Sequence, residues 1–290
     1  MKILLLMNPA SRGGRGKRLW PEIFAALERA AIDYRLLELE RIEDAYEAAS
    51  KCTGYDAVAA VGGDGTVNAA GGGVLNNPDP ELKFAVLYTG TSPDFCRFHH
   101  IPLRPADAVG VINDNFVREI PVLQANGRPF FCSCNLGIGA EVASGANRLR
   151  PLLGDKAGTL LALLSALLRN RRSDYFLSDG REILSCNHLL ITRMPYIAGG
   201  LKIDLPELHD NEYAIWYLRG RSRPGMLKLI PGLYFGKAQG EIIILKEDLR
   251  IGCREARAVE YDGDPHGVMP LNLSWSPRRL KLLCGKEKNR

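Results

Sequence analysis

Apolar residues fall in short unbroken runs through the first third of the chain. Residues 2–7, 56–61 and 83–88 form three such runs, each bounded by turn-forming residues, and 34–39 forms a fourth, more mixed one. A run of that length without strict alternation fits a strand buried on both faces, as in a parallel sheet. Between the runs, residues 20–31, a segment opening at Glu43-Asp44, and 67–75 carry helical spacing. Strand and helix alternate with short connections, which predicts an N-terminal α/β domain with a parallel sheet covered on both faces. Functional groups then collect at the C-terminal ends of the strands, where loops 8–15, 62–68 and 89–95 converge.

Past about residue 120 the pattern changes. Strand-like runs follow at 121–125, 129–135, 182–193, 212–218, 241–245, 249–252, 258–261 and 280–283, and one good helix, 160–168, interrupts them. This predicts a mostly antiparallel, β-rich C-terminal domain. The expected division is 1–122 and 123–290, with no internal repeat.

Composition narrows the partners. At 290 residues the chain suits two domains. A net charge of +5 fits a polyanionic nucleotide or an anionic membrane surface. The basic residues are scattered rather than striped with aromatics, which argues against nucleic acid. The densest basic cluster, 169–172, and the tail after Arg278 read either as solvated surface or as contacts to lipid headgroups. Seven cysteines without Cys-x-x-Cys spacing point to a reduced, cytoplasmic protein, with Cys132 and Cys134 on one face of a strand in the core. Residues 1–7 are too short for a signal segment, and 158–168 falls far short of the ~20 residues of a membrane span. Membrane contact is therefore expected to be peripheral, with no transmembrane segment.

The candidate chemistry sits at Gly62-Gly63-Asp64-Gly65-Thr66-Val67-Asn68, directly after an apolar run. Glycines free the backbone to turn and present its N–H groups, and a following helix N-terminus attracts anions. Asp64 is repulsive beside a phosphate unless it recruits a divalent cation or handles a proton, so the motif reads as Mg²⁺-dependent phosphoryl transfer from a nucleotide. Gly13-Gly14-Arg15-Gly16-Lys17 lacks the spacing and hydroxyl of a P-loop. Asn68 stands where the dinucleotide fingerprint requires its third glycine.

Together with Asn8-Pro9-Ala10-Ser11-Arg12-Gly13, Gly90-Thr91-Ser92-Pro93-Asp94-Phe95, Asn135-Leu136-Gly137-Ile138-Gly139 and Asp262-Gly263-Asp264, this motif resembles the diacylglycerol kinase catalytic family, which includes soluble bacterial lipid kinases and sphingosine kinases. The resemblance spans nearly the whole chain. It implies a nucleotide-binding α/β domain, a β-rich lipid or substrate domain, and an active site in the cleft between them. ATP and Mg²⁺ are the implied cofactors, and a diacylglycerol or related lipid is the implied acceptor, reached at the inner membrane surface. Asn8, Pro9, Ser11, Gly62, Gly63, Asp64, Gly65, Thr66, Asn68, Gly90 and Thr91 are the expected nucleotide-binding residues. Asp64 and Asp94 are expected at the metal, and Asp264, where the family carries glutamate, is the candidate base alongside Asp64. Asp262-Gly263-Asp264 is also a hairpin-turn sequence, and the turn itself would present Asp264. A structural metal at Asp210 is weighed against a simple turn.

The chain departs from the family pattern at Leu39, Ala69, Pro93 and Pro121, each of which removes a polar partner. Two other readings stay open on that account: a homologue that binds nucleotide or lipid with impaired catalysis, and a kinase of a soluble acceptor such as NAD.

Overall fold

The computed structural model describes the chain except residues 170–171, 179–181, 198–199, 220–221, 223, 226–227, 229–231, 233–234, 236–239, 256 and 287–290, and the side chains of 147, 150–151, 155–156, 182–185, 264–266 and 268. It divides into two compact units, 1–122 with 276–290, and 123–275.

The first unit opens with β1 (Lys2–Met7), a 3-10 turn, α1 (Trp20–Arg29), β2 (Asp33–Glu38), α2 (Glu43–Lys51) and β3 (Ala57–Gly62). It continues with α3 (Asp64–Asn76), β4 (Lys83–Tyr88), α4 (Asp94–Phe98), α5 (Pro105–Asp114) and β5 (Val117–Ile120). β3 is buried along its whole length and β1 and β4 at all but their first residues, whereas β2 is mostly exposed at the sheet edge. β1 pairs in parallel with β2 and β3, and β3 with β4. α1 buries Ile23, Ala26 and Leu27, and α5 buries Ala108, Val109 and Ile112, both at helical spacing against one sheet face. Proline in the first turn of each helix costs no backbone bond, since those N–H groups lack intrahelical acceptors.

The second unit begins with β6 (Leu123–Ala125), β7 (Arg128–Phe130) and β8 (Ser133–Gly137), then α6 (Ile138–Leu153) and α7 (Asp155–Arg169). β9 (Ser173–Leu177), β10 (Glu182–Thr192), β11 (Tyr196–Ile197), β12 (Leu201–Lys202), β13 (Tyr213–Arg219), β14 (Glu241–Leu245) and β15 (Leu249–Cys253) follow. β16 (Ala258–Tyr261), β17 (Asp264–Val268) and β18 (Leu271–Trp275) complete it. The strands form one large antiparallel sheet, ordered β17-β16-β8-β10-β9-β15-β18-β6-β7, with β13 on β10 and β14 on β13. One core holds Tyr175, Leu189, Ile191, Tyr213 and Ile215. A second holds Leu190, Trp216 and Leu218 together with Ile138, Ala166 and Leu167 from α6 and α7.

Three expectations need correction. The last strand, β19 (Leu280–Leu283), does not extend the second domain to residue 290. It lies in the first sheet, parallel to β4 and antiparallel to β5. The chain leaves and re-enters the first unit side by side, with Ser276 N donating to Val122 O at 2.8 Å. Arg278 then caps the end of α3, donating to the carbonyls of Leu75, Asn77 and Asp79 and satisfying acceptors that a helix end leaves open. Second, α6 is a helix where sequence reading expected none. Third, Cys132 precedes β8 rather than lying in it; Cys134 is in the core, where burial pushes its thiol up. Among the described residues no two cysteines form a disulfide. Among the described residues no helix is long and apolar enough to cross a membrane.

His188, on β10, is buried with its ring edge-on to Trp216. Its Nδ1 lies 3.1 Å from Leu136 O and 3.2 Å from Gly139 N, and burial lowers its pKa to about 4. Unfolded chains bind this proton below an ordinary value near 6.5, while the folded protein resists it. This contribution to stability is therefore complete above pH 6.5 and falls by about 3 kcal/mol as the pH drops through 4. His188→Gln is expected to flatten that part of the pH dependence, measured as urea midpoints across the window.

Candidate functional site

Because β1, β3 and β4 are neighbours in a parallel sheet, the loops leaving their C-terminal ends meet at one edge. Backbone bonds align them: Asn8 N donates to Val61 O at 2.9 Å and Thr89 N to Gly62 O at 2.8 Å. α3 begins at Asp64, so the glycine motif is the end of a strand and the first turn of a helix, with Gly63 between them. Gly63 has φ −97°, a conformation open to any residue. Its glycine is needed for another reason. A methyl group on Gly90 would strike the Gly63 Cα and the Tyr88 ring, and one on Gly62 would strike Thr66. The loops touch backbone to backbone.

Polar side chains lock this contact. Asn8 Nδ2 donates to Thr66 Oγ1 at 2.8 Å, while Asn8 Oδ1 accepts from Ala10 N at 2.9 Å. Ser11 is buried; its hydroxyl donates to Thr89 O at 3.0 Å and accepts from Thr89 Oγ1 at 3.1 Å. The structure thus gives Asn8, Ser11 and the buried Thr66 partners inside the loops, where phosphate contacts were expected. Pro9 is half-buried beside them and Thr91 is exposed. Gly63, Asp64, Gly65, Asn68 and Gly90 are half-buried, and Gly63 caps the first turn of α3 with no side chain. The first-turn N–H groups of α3 lack intrahelical acceptors, and a helix start of this kind favours an anion.

Asp64 accepts a hydrogen bond from Tyr88 OH at 3.1 Å, and the same hydroxyl accepts from Ser92 N at 3.1 Å. Sequence reading passed over Tyr88 as a strand residue, yet it ties the second and third loops to the carboxylate. Cys96 is buried beside Asp64; burial first, and then the Asp64 charge, pushes its thiol up, so it stays protonated. Asp94 is buried and ion-paired with Arg97 at 3.2 Å. Among the described residues no cluster of three or more His, Cys, Asp or Glu converges as a metal site. Asp210 lies on an exposed turn closed by Glu212 N donating to His209 O at 3.0 Å, with the Glu212 carboxylate accepting from His209 N.

In the second unit, Asp262 and Gly263 have φ of 48° and 97° and form the two-residue loop of the β16–β17 hairpin. Asp262 Oδ1 and Oδ2 accept from the N–H groups of Phe131, Cys132 and Ser133 at 2.7, 2.7 and 2.9 Å. Glu260, almost fully buried, accepts from Gly263 N with one oxygen and from Asn135 Nδ2 with the other at 2.6 Å. The turn is clamped by two acids, neither flagged by sequence reading as an anchor. Asp264 opens β17 directly after it; its side chain lies outside the described residues, as does Gly199 near the weighed metal turn.

Known proteins can be set beside this geometry. The chain is 31% identical over 156 residues to the diacylglycerol kinase of Staphylococcus haemolyticus, covering 52% of this chain and 46% of that protein. It is 31% identical over 140 residues to the diacylglycerol kinase of Staphylococcus epidermidis, covering 48% and 43%. The match thus spans less than half the length of these relatives. A crystal structure of a diacylglycerol kinase from Bacillus anthracis aligns with 98% of this chain and 97% of its own, with a TM-score of 0.68 at 20% identity. A second Bacillus anthracis structure aligns with a TM-score of 0.78 at 21% identity, covering 98% and 95%. At such identity the likeness shows the fold. The sequence pattern of the diacylglycerol kinase catalytic domain matches residues 2–125. Those residues hold β1, β3, β4 and all three converging loops, so the segment that carries the candidate site is the one similar to the diacylglycerol kinase catalytic domain.

Proposed function

We propose that this protein is an ATP- and Mg²⁺-dependent lipid kinase that transfers a phosphoryl group to a hydroxyl of diacylglycerol or a related lipid, acting as a peripheral protein at the inner membrane surface. The observation that carries this reading is the Gly63–Gly90 backbone contact beside an α3 N-terminus bearing Asp64, within a segment of the diacylglycerol kinase catalytic family. Bound ATP would supply the phosphoryl group, and its Mg²⁺ would neutralise charge between the phosphates and Asp64. The first-turn N–H groups of α3 hold phosphate oxygens. Thr91 and Asn68 add donors at the rim, and Asn8, Ser11 and Thr66 keep the loops in register. Tyr88 orients the Asp64 carboxylate through its hydrogen bond. Asp264 takes the proton of the acceptor hydroxyl, presented by a turn that Asp262 and Glu260 hold rigid. Positioning and electrostatics are most of what phosphoryl transfer requires of a protein.

One observation favours the second reading, a nucleotide-binding homologue without turnover. Asp94, expected at the metal, is instead committed to Arg97. Calorimetry showing ATP binding, together with no label transferred to any lipid, would select that reading.

The direct test incubates radiolabelled ATP with a total lipid extract in detergent micelles and identifies the labelled species. Mg²⁺-dependent labelling of a lipid is expected, and labelling of NAD instead would exclude the lipid acceptor. Asp264→Asn is expected to lower turnover about a hundredfold or more, the usual worth of a positioned base. Wild-type turnover in that variant would sink the base assignment. Gly90→Ala is expected to cost about 1–3 kcal/mol of stability through overpacking, read from denaturant midpoints, and to weaken ATP binding in parallel.

A further inference from the structure

α7 is inverted relative to an ordinary surface helix. Its buried face is lined by small residues, Gly158, Ala162 and Ala166, together with Leu167. A Cβ on Gly145 of α6 would sit 3.1 Å from Ala162 Cβ, so the two helices pack closely through their small side chains. Leu163 packs partly buried on that same side, while four further leucines point the other way. Leu160, Leu161, Leu164 and Leu168 are exposed, at a spacing that forms one stripe, and Leu152 and Leu153 continue it at the turn from α6. Leu152 is 78% exposed and Leu168 67%. Six of the thirteen exposed large apolar side chains among the described residues lie on this one helical pair. Single exposed leucines are normal, but a contiguous apolar face on a water-soluble surface marks an interaction site.

We propose that this leucine face lies on an anionic lipid bilayer, a proposal that rests on the lipid-kinase reading above and names the surface that brings the enzyme to its substrate. Charge selects the occupant. Among the described residues 138–172, the exposed charged side chains are Arg148, Arg169 and Arg172, all positive. Arg148 stands one helical turn before Leu152, and Arg169 follows Leu168. Leucines flanked by arginines, with aliphatic stems that bury while the guanidinium stays at the headgroups, fit an interfacial helix. A protein partner would favour aromatic anchors over a leucine field. The helices have 16 and 15 residues, short of the ~20 that cross a bilayer, so they lie on the membrane rather than through it.

The test compares the full-length protein with a Leu160→Gln, Leu164→Gln, Leu168→Gln variant in co-sedimentation with vesicles of phosphatidylcholine alone or mixed with phosphatidylglycerol. The variant is expected to lose about tenfold or more in affinity for the anionic vesicles. It should keep wild-type melting, because the changed side chains face solvent. Arg169→Glu is expected to weaken binding to phosphatidylglycerol vesicles about fivefold, with little change on phosphatidylcholine. Unchanged vesicle binding by the triple variant overturns the proposal. So does sedimentation velocity showing a wild-type dimer that the variant dissociates while vesicle binding persists, which would assign the face to a second copy of the chain. Phosphorylation of diacylglycerol in micelles separates the two readings. A wild type that binds vesicles but labels no lipid sinks the kinase reading and leaves the docking face standing. Micellar activity with vesicle binding insensitive to the leucines does the reverse.

Discussion

The close approach of Gly63 to Gly90 is the constraint around which the first unit's functional edge is built. Two loops leave neighbouring parallel strands at nearly the same height, and their main chains come into van der Waals contact. Side chains on those positions would force the loops apart and move the start of α3 away from the end of β4. With the contact made, Asp64 falls within reach of Tyr88, whose hydroxyl also accepts from the Ser92 amide. The first loop is then drawn in by Asn8 on Thr66 and Ser11 on Thr89. A helix start whose first residue is a carboxylate is the product, with amide donors and an acid side by side.

The second unit solves a related problem with acids instead of glycine contacts. Burying a carboxylate is expensive unless donors surround it, and backbone N–H groups are strong partners for an ionised oxygen. Asp262 gathers three of them from the segment before β8, and Glu260 takes the N–H of the turn itself. The hairpin is thereby fastened to β8, its neighbour across β16, rather than left as a free loop. Asp262 therefore works as an anchor while the next acid along, Asp264, is placed at the head of the following strand. The anchoring of Asp262 is independent of the role proposed for Asp264, so a hairpin-turn reading and a catalytic reading of the same string are compatible.

Much of the fold was legible because burial on both faces leaves a plain mark: β1 and β4 coincide with their apolar runs, and β3 is displaced by a single residue. The meeting of the glycine motif with the two other loops was legible too, since all three leave neighbouring parallel strands at the same end. What the sequence concealed lies in long-range pairing. Asn8 and Thr66 are 58 positions apart and Ser11 and Thr89 are 78 apart, so nothing local told that these polar groups would satisfy one another. The same holds for β19, whose short Leu-Lys-Leu-Leu run is compatible with either sheet and is placed by a chain return through Ser276 and Arg278. α6 was passed over as well, and its small Gly145 lies close against Ala162 of α7.

The leucine face of α7 carries that last point further. Residues 160–168 were legible as a helix from their composition, but composition does not say which side turns inward. Periodicity normally supplies the answer, because large apolar residues face the core. Here the two helices approach closely where Gly145 of α6 meets Ala162 of α7, and close packing of small side chains gains dispersion contacts there. The leucines are turned out by the geometry that holds the helices together. A water-exposed stripe of this kind raises the free energy of the isolated protein in water, since each leucine forgoes its transfer into an apolar phase. On the proposed lipid-kinase reading, the hydrocarbon boundary that would hold the acceptor is also the favourable environment for these side chains.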